Sequence, residues 1–177
     1  MNGKIQISDG NIENYTAKEA MKQVVDTMNS KAVQAIKVIT SEGEENSEEQ
    51  RLFVKMFVRF LHKNQGSVFL LAESEKRLSE LQEYLENEHC GIQVVGTIAL
   101  EEGGVSNDMI LNHINGVETD CIIAALPKEI QEEFVASYRT ALDAKIWLGI
   151  GTHLKMKQEK WGIEAIKQFF VRHLLKK

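Results

Sequence analysis

The sequence predicts an α/β fold, a mostly parallel sheet of about six strands with helices on both faces, and three observations carry that prediction. The hydrophobic period switches repeatedly between about 2 and about 3.6 residues. Strand-length apolar runs alternate with helical segments, two of which open on capping boxes. Ser67–Ala72 (SVFLLA) is apolar at nearly every position, as a strand covered on both faces must be.

Each element follows from its local pattern. Lys4–Ser8 reads as a short strand, and Thr16-Ala-Lys-Glu19 is a capping box that starts a helix with Ala20, Met21, Val24, Val25 and Met28 on one face. Ala32–Thr40 suits a strand. A second capping box, Ser47-Glu-Glu-Gln50, opens a helix whose apolar stripe is wide enough to meet more than one neighbour. After Ser67–Ala72 comes a helix with Leu78, Leu81 and Leu85 at helical spacing. The unit then recurs as strand Ile92–Ile98, helix Ser106–Val117, strand Asp120–Ala125, helix Pro127–Leu142 and strand Lys145–Ile150, with a last helix over about 159–175. Such alternation builds parallel sheets through crossover helices.

Composition narrows the function classes. The chain has 177 residues, 43% hydrophobic and 27% charged, with one Pro and no Pro/Gly/Ser-rich linker, so a single domain over residues 1–177 is expected. No apolar run reaches the roughly 18 residues of a membrane span, and the first residues lack the apolar core of a secretory signal, which predicts a cytoplasmic protein. Cys90 and Cys121 have no partner at C-x-x-C spacing and read as buried thiols; neither a disulfide framework nor a metal site is expected. Ser41–Gln50, with five Glu, reads as a solvated loop and an acidic first helical turn. From His153 onward seven Lys/Arg face two Glu, so the tail carries +5 and the remainder −10. An acidic body argues against nucleic acid as a partner.

In open α/β sheets ligands bind beyond the carboxyl ends of the strands, here the turns after Thr40, Ala72, Ile98, Ala125 and Ile150. No G-x-G-x-x-G or G-x-x-x-x-G-K-[ST] occurs, so neither a dinucleotide fingerprint nor a P-loop is present. The segment Asp120-Cys-Ile-Ile-Ala-Ala-Leu-Pro-Lys-Glu-Ile-Gln-Glu-Glu-Phe134 resembles the signature of the WecG/TagA/CpsF glycosyltransferases, an Asp-led apolar strand, a glycine turn, Pro-Lys-Gln-Glu and an aromatic residue. Asp120, Gln131, Glu132 and Phe134 keep its spacing. Val68–Ala72, Ile92–Thr97, Gly149-Ile-Gly151 and Trp161-Gly-Ile-Glu164 follow in the family's order.

The resemblance implies a Rossmann-like fold and transfer of an N-acetylhexosamine, typically N-acetylmannosamine, from a UDP donor to a lipid-linked acceptor at the cytoplasmic membrane face, in polysaccharide or teichoic acid assembly. No cofactor and no metal are expected. Pro127, Gln131, Glu132, Gly149 and Gly151 match donor-site positions, and Thr40 matches a threonine near the sugar. The basic tail, with Lys167, Arg172, Lys176 and Lys177, matches helices that approach the membrane and acceptor, although those residues would equally cap and solvate a terminal helix. Gln131 and Glu132 would also suit simple helix capping, and His153 reads as a loop residue or an acid–base group.

Two departures stand beside the matches. No Pro-Asp-Gly occurs, so the family's proposed catalytic Asp has no counterpart, and Pro127 stands where the family has a glycine. Proline fixes φ and removes an N–H donor, which suits the first residue of a helix. Three readings are therefore carried: a shortened glycosyltransferase, a non-catalytic relative that binds a partner glycosyltransferase or itself, and an unrelated Rossmann-like ligand-binding domain.

Overall fold

A computed structural model describes residues 5–8, 12–31, 36–41, 47–88, 91–101 and 104–152. Among the described residues, seven strands and five helices follow one another as β1 (Ile5–Ser8), β2 (Ile12–Tyr15), α1 (Ala17–Asn29), β3 (Lys37–Thr40), α2 (Glu48–Asn64), β4 (Ser67–Ala72), α3 (Glu75–Glu88), β5 (Gln93–Ala99), α4 (Asn107–Asn115), β6 (Cys121–Ala125), α5 (Lys128–Tyr138) and β7 (Ile146–Gly149). The strands form one sheet in the order β2-β1-β3-β7-β6-β4-β5. β3, β7, β6, β4 and β5 run parallel, and β1 pairs antiparallel with β2 and β3. The predicted α/β class and mostly parallel sheet are what the chain adopts.

Alternation along the strands divides the core in two. Val68, Leu70 and Ala72 of β4 pack on the side that carries α1, α2 and α3. Phe69 and Leu71 point the other way, toward Ile110 and Ile114 of α4 and Phe134 of α5. Helices therefore cover both faces. The wide stripe of α2 is spent as expected: it buries Phe53, Val54, Phe57, Val58 and Leu61 and also packs against α1. Both capping boxes form, Thr16 with Glu19 and Ser47 with Gln50.

Several boundaries differ from the sequence expectation. β2 was not foreseen, since only Ile12 and Tyr15 of its four residues are apolar. Its register, Ser8 opposite Ile12, leaves a three-residue connection containing Asp9-Gly10, a hairpin signal in the sequence. The strand expected over Ala32–Thr40 is formed at Lys37–Thr40, with 32–35 outside the described residues. Pro127 is not the first helical residue. At φ −53° and ψ 143° it is the extended N-cap of α5, which ends at Tyr138 rather than Leu142.

Close packing at the β4–β5 edge depends on one glycine. A Cβ on Gly96 would lie 2.4 Å from Cε2 of Phe69, its register partner on β4. Gly96→Ala is expected to cost about 1–3 kcal/mol by forcing that ring off its seat. Urea denaturation followed by circular dichroism measures it, and an unchanged midpoint would refute this account of the glycine.

Candidate functional site

Strand order locates the place where connections diverge. β4 leads outward to β5, whereas β6 leads the other way to β7, so the reversal lies between β4 and β6. Pro127, two residues past the end of β6, stands at that point. Beyond it α5 descends over the sheet face that holds Trp147 of β7.

Next to α5 the same face continues onto β3 and β1. There Val38, Thr40, Gln6 and Ser8 point away from Ile39, Ile5 and Ile7, which are buried on the opposite face. The result is a groove of about 260 Å³ between α5 and these two strands. Lys128, Gln131, Glu132, Val135, Ala136 and Arg139 form its helical wall, and Trp147 lies at its base. One end of the groove lies at the carboxyl edge of the sheet, where Thr40 ends β3 and Lys128 begins α5.

The predicted site residues fall into groups. Thr40, Gln131 and Glu132 line the groove together, although 91 positions separate the first pair. Gln131 is only 5% exposed. Its Nε2 donates to the Leu126 carbonyl at 2.7 Å, and its Oε1 accepts from the Trp147 indole at 3.1 Å, so its carboxamide fixes the β6–α5 turn against β7. Glu132 is exposed and faces the Lys128 ammonium at 3.6 Å, one helical turn away. Gly149 pairs in register with Thr40 on one side and Ala124 on the other, and its carbonyl accepts from the Ser41 N–H at 2.8 Å. Gly151 has φ +62°, a left-handed conformation that glycine adopts freely. Neither glycine lines the groove, and both sit at or past the carboxyl end of β7.

Other matched residues are structural. Asp120 lies at the opposite, amino-terminal edge of the sheet. It accepts from the Ser67 N–H and hydroxyl at 3.1 Å each and pairs with Lys145 at 3.6 Å, latching β6 to β4 and β7. Phe134 stacks on Trp147 with ring centroids 5.5 Å apart. Burial and the neighbouring Asp120 charge push the Cys121 thiol well above its ordinary range, leaving it protonated in the core. His153, Lys167, Arg172, Lys176, Lys177 and the helix expected over 159–175 lie outside the described residues.

Sequence reasoning missed most of the groove lining, including the polar residues Gln6, Ser8, Lys128 and Arg139. The Arg139 guanidinium crosses from the C-cap of α5 to donate through Nη2 to the Ser8 carbonyl at 2.7 Å. No sequence signal connects two residues 131 positions apart. The site as a whole offers donors at both ends, apolar side chains between them and one carboxylate already opposed by a lysine. Such a cleft suits an elongated polar ligand carrying an anionic group.

The family model for the Glycosyl transferase WecG/TagA/CpsF family matches residues 32–160 of the 177. The chain belongs to that glycosyltransferase family. No curated protein matches the chain. The WecG/TagA/CpsF match spans β3 through β7, hence all five parallel strands, and leaves β1, β2 and α1 outside it. Half of the non-helical groove wall, Gln6 and Ser8, therefore comes from a hairpin that the WecG/TagA/CpsF match does not include. Among the described residues no helix is long and apolar enough to cross a membrane.

Proposed function

We propose that this WecG/TagA/CpsF member binds a UDP-N-acetylhexosamine in the groove between α5 and β3–β1, and that it serves the assembly of a cell-surface polysaccharide or teichoic acid on a lipid-linked acceptor at the cytoplasmic membrane face. One observation supports this above the others. Thr40, Gln131 and Glu132, each matched separately to the family's site positions, line a single groove at the carboxyl edge of the sheet. In this reading Gln131 positions the groove wall, while Thr40 and Glu132 face the ligand directly. The glycines at 149 and 151 and the turn at Pro127 shape the edge where the sugar would emerge.

Transfer itself needs an acceptor hydroxyl to lose its proton as it attacks the anomeric carbon and UDP leaves. The interval between β3 and β4, where the family's Pro-Asp-Gly would stand, holds the acidic segment 41–50 and α2. That favours a second reading in which the chain binds the donor and a partner glycosyltransferase, or a second copy, supplies the base.

Thermal melting of the full chain with UDP and UDP-N-acetylhexosamines tests donor binding. A ligand at about 100-fold its Kd stabilises by about 2.7 kcal/mol, so a Tm raised by roughly 5–10 °C is expected. No shift with any of them would end the donor reading. UDP release on adding a lipid-linked acceptor analogue then separates a transferase from a donor-binding partner.

A further inference from the structure

Helix α2 carries a charge pattern that its packing does not require. Its inner face places Phe53, Val54, Phe57, Val58 and Leu61 in the core. On the outer face Arg51, Lys55, Arg59 and Lys63 recur at every fourth residue, so they follow one helical ridge about 18 Å long, and all four are exposed. Past Glu49 the helix contains no acidic residue, in a chain of net charge −5. Leu52, Met56 and Phe60 form the adjoining ridge, where Leu52 is 43% exposed and the other two are partly buried.

Such a ridge works against its own helix. Like charges at i,i+4 repel, and Arg51, Lys55, Arg59 and Lys63 are each that far from the next. Among the described residues no carboxylate pairs with any of them, whereas Arg77, Lys128 and Lys145 each face one. Neighbouring helices differ. α1 mixes Lys18 and Lys22 with Glu19 and Asp26, and α3 exposes Glu75, Glu83 and Glu86. The single-sign ridge therefore belongs to α2 alone, and it is complementary to an anion outside the molecule. The apolar ridge beside it narrows the kind of anion. Cations next to partly exposed Leu, Met and Phe suit a helix lying in a bilayer interface, where phosphates meet the charge and the headgroup layer takes the apolar side chains. Nucleic acid would use the cations and leave Leu52 in water.

We propose that the outer face of α2 is a docking surface for anionic lipid, with Arg51, Lys55, Arg59 and Lys63 against the phosphates and Leu52 and Met56 in the headgroup layer. α2 packs on the sheet face opposite the groove, so this contact is separate from the donor site and independent of the sugar-nucleotide reading.

Flotation of the full chain with vesicles of mixed phosphatidylglycerol and phosphatidylcholine, and with vesicles of phosphatidylcholine alone, tests the surface. The wild type is expected to float with the anionic vesicles only, and less as salt rises. The double variant Lys55→Gln/Arg59→Gln should lower the partition coefficient about fivefold per charge, roughly 25-fold together. Arg51→Gln/Lys63→Gln is a second pair with the same expected loss, and because all four side chains are exposed, neither pair should lower Tm. Leu52→Gln should weaken flotation a few-fold without changing the salt dependence. A wild type that does not float with anionic vesicles overturns the proposal. So do charge variants that float like the wild type, which would assign the lipid contact to residues outside α2, and an unaffected Leu52→Gln together with displacement by duplex DNA, which would make the ridge a nucleic-acid contact. Each variant should keep the thermal shift of the wild type with UDP, so the donor reading stands or falls on a different measurement.

Discussion

Replacing Trp147 by alanine should lower stability by about 3–5 kcal/mol, the range for removing a large buried aromatic side chain. Trp147 is 1% exposed, stacks on Phe134 and forms the base of the groove. Its neighbours cannot collapse into the space, because β7 is held in register by β3 and β6 on its two sides. The void would join the groove. For a chain of this size a loss of that order lowers Tm by roughly 10 °C or more, and differential scanning calorimetry would read it. A variant within about 1 kcal/mol of the wild type would mean that Trp147 does not support α5 as described.

Gln131→Leu is the second large effect, and it arises from hydrogen bonding rather than volume. The substitution keeps the size of the side chain while leaving the Leu126 carbonyl and the Trp147 indole N–H without their partner. Each abandoned buried polar group costs about 1–3 kcal/mol, so a loss of about 2–4 kcal/mol is expected from urea denaturation. The double-mutant cycle with Trp147→Phe isolates the shared bond. Once the indole N–H is gone, Gln131→Leu should cost about 1 kcal/mol less than in the wild type. Strict additivity would show that the two residues act independently, contrary to the 3.1 Å contact between them.

Local signals made most of the fold legible. The two capping boxes start α1 and α2 at the expected residues, and the uniformly apolar SVFLLA run becomes a strand packed by helices on both sides. β2 escaped because its alternation is short and half polar, so what defines it is pairing with β1 rather than its own composition. Pro127 is the N-cap of α5 and not its first residue, because composition alone does not reveal the extended ψ at which β6 turns into the helix.

The site divides in the same way. Thr40, Gln131 and Glu132 could be singled out by resemblance, whereas Ser8 and Arg139 become neighbours only through the strand order that brings β1 beside β3 and β3 beside β7. Asp120 shows the opposite limit. Its place in the signature invites a functional role, yet it is a latch at the edge remote from the groove.

The central position of β7 has a bearing on how the molecule is made. β3 has only β1 and β7 as sheet neighbours, so the amino-terminal hairpin joins the body of the sheet through the strand synthesised last among the seven. While the chain is still emerging, β4, β5 and β6 can pair with one another, but β1, β2 and β3 have no edge on which to add. The walls of the groove thus belong to different stages of folding. Its ligand can find the protein only after the seventh strand has closed the gap between them.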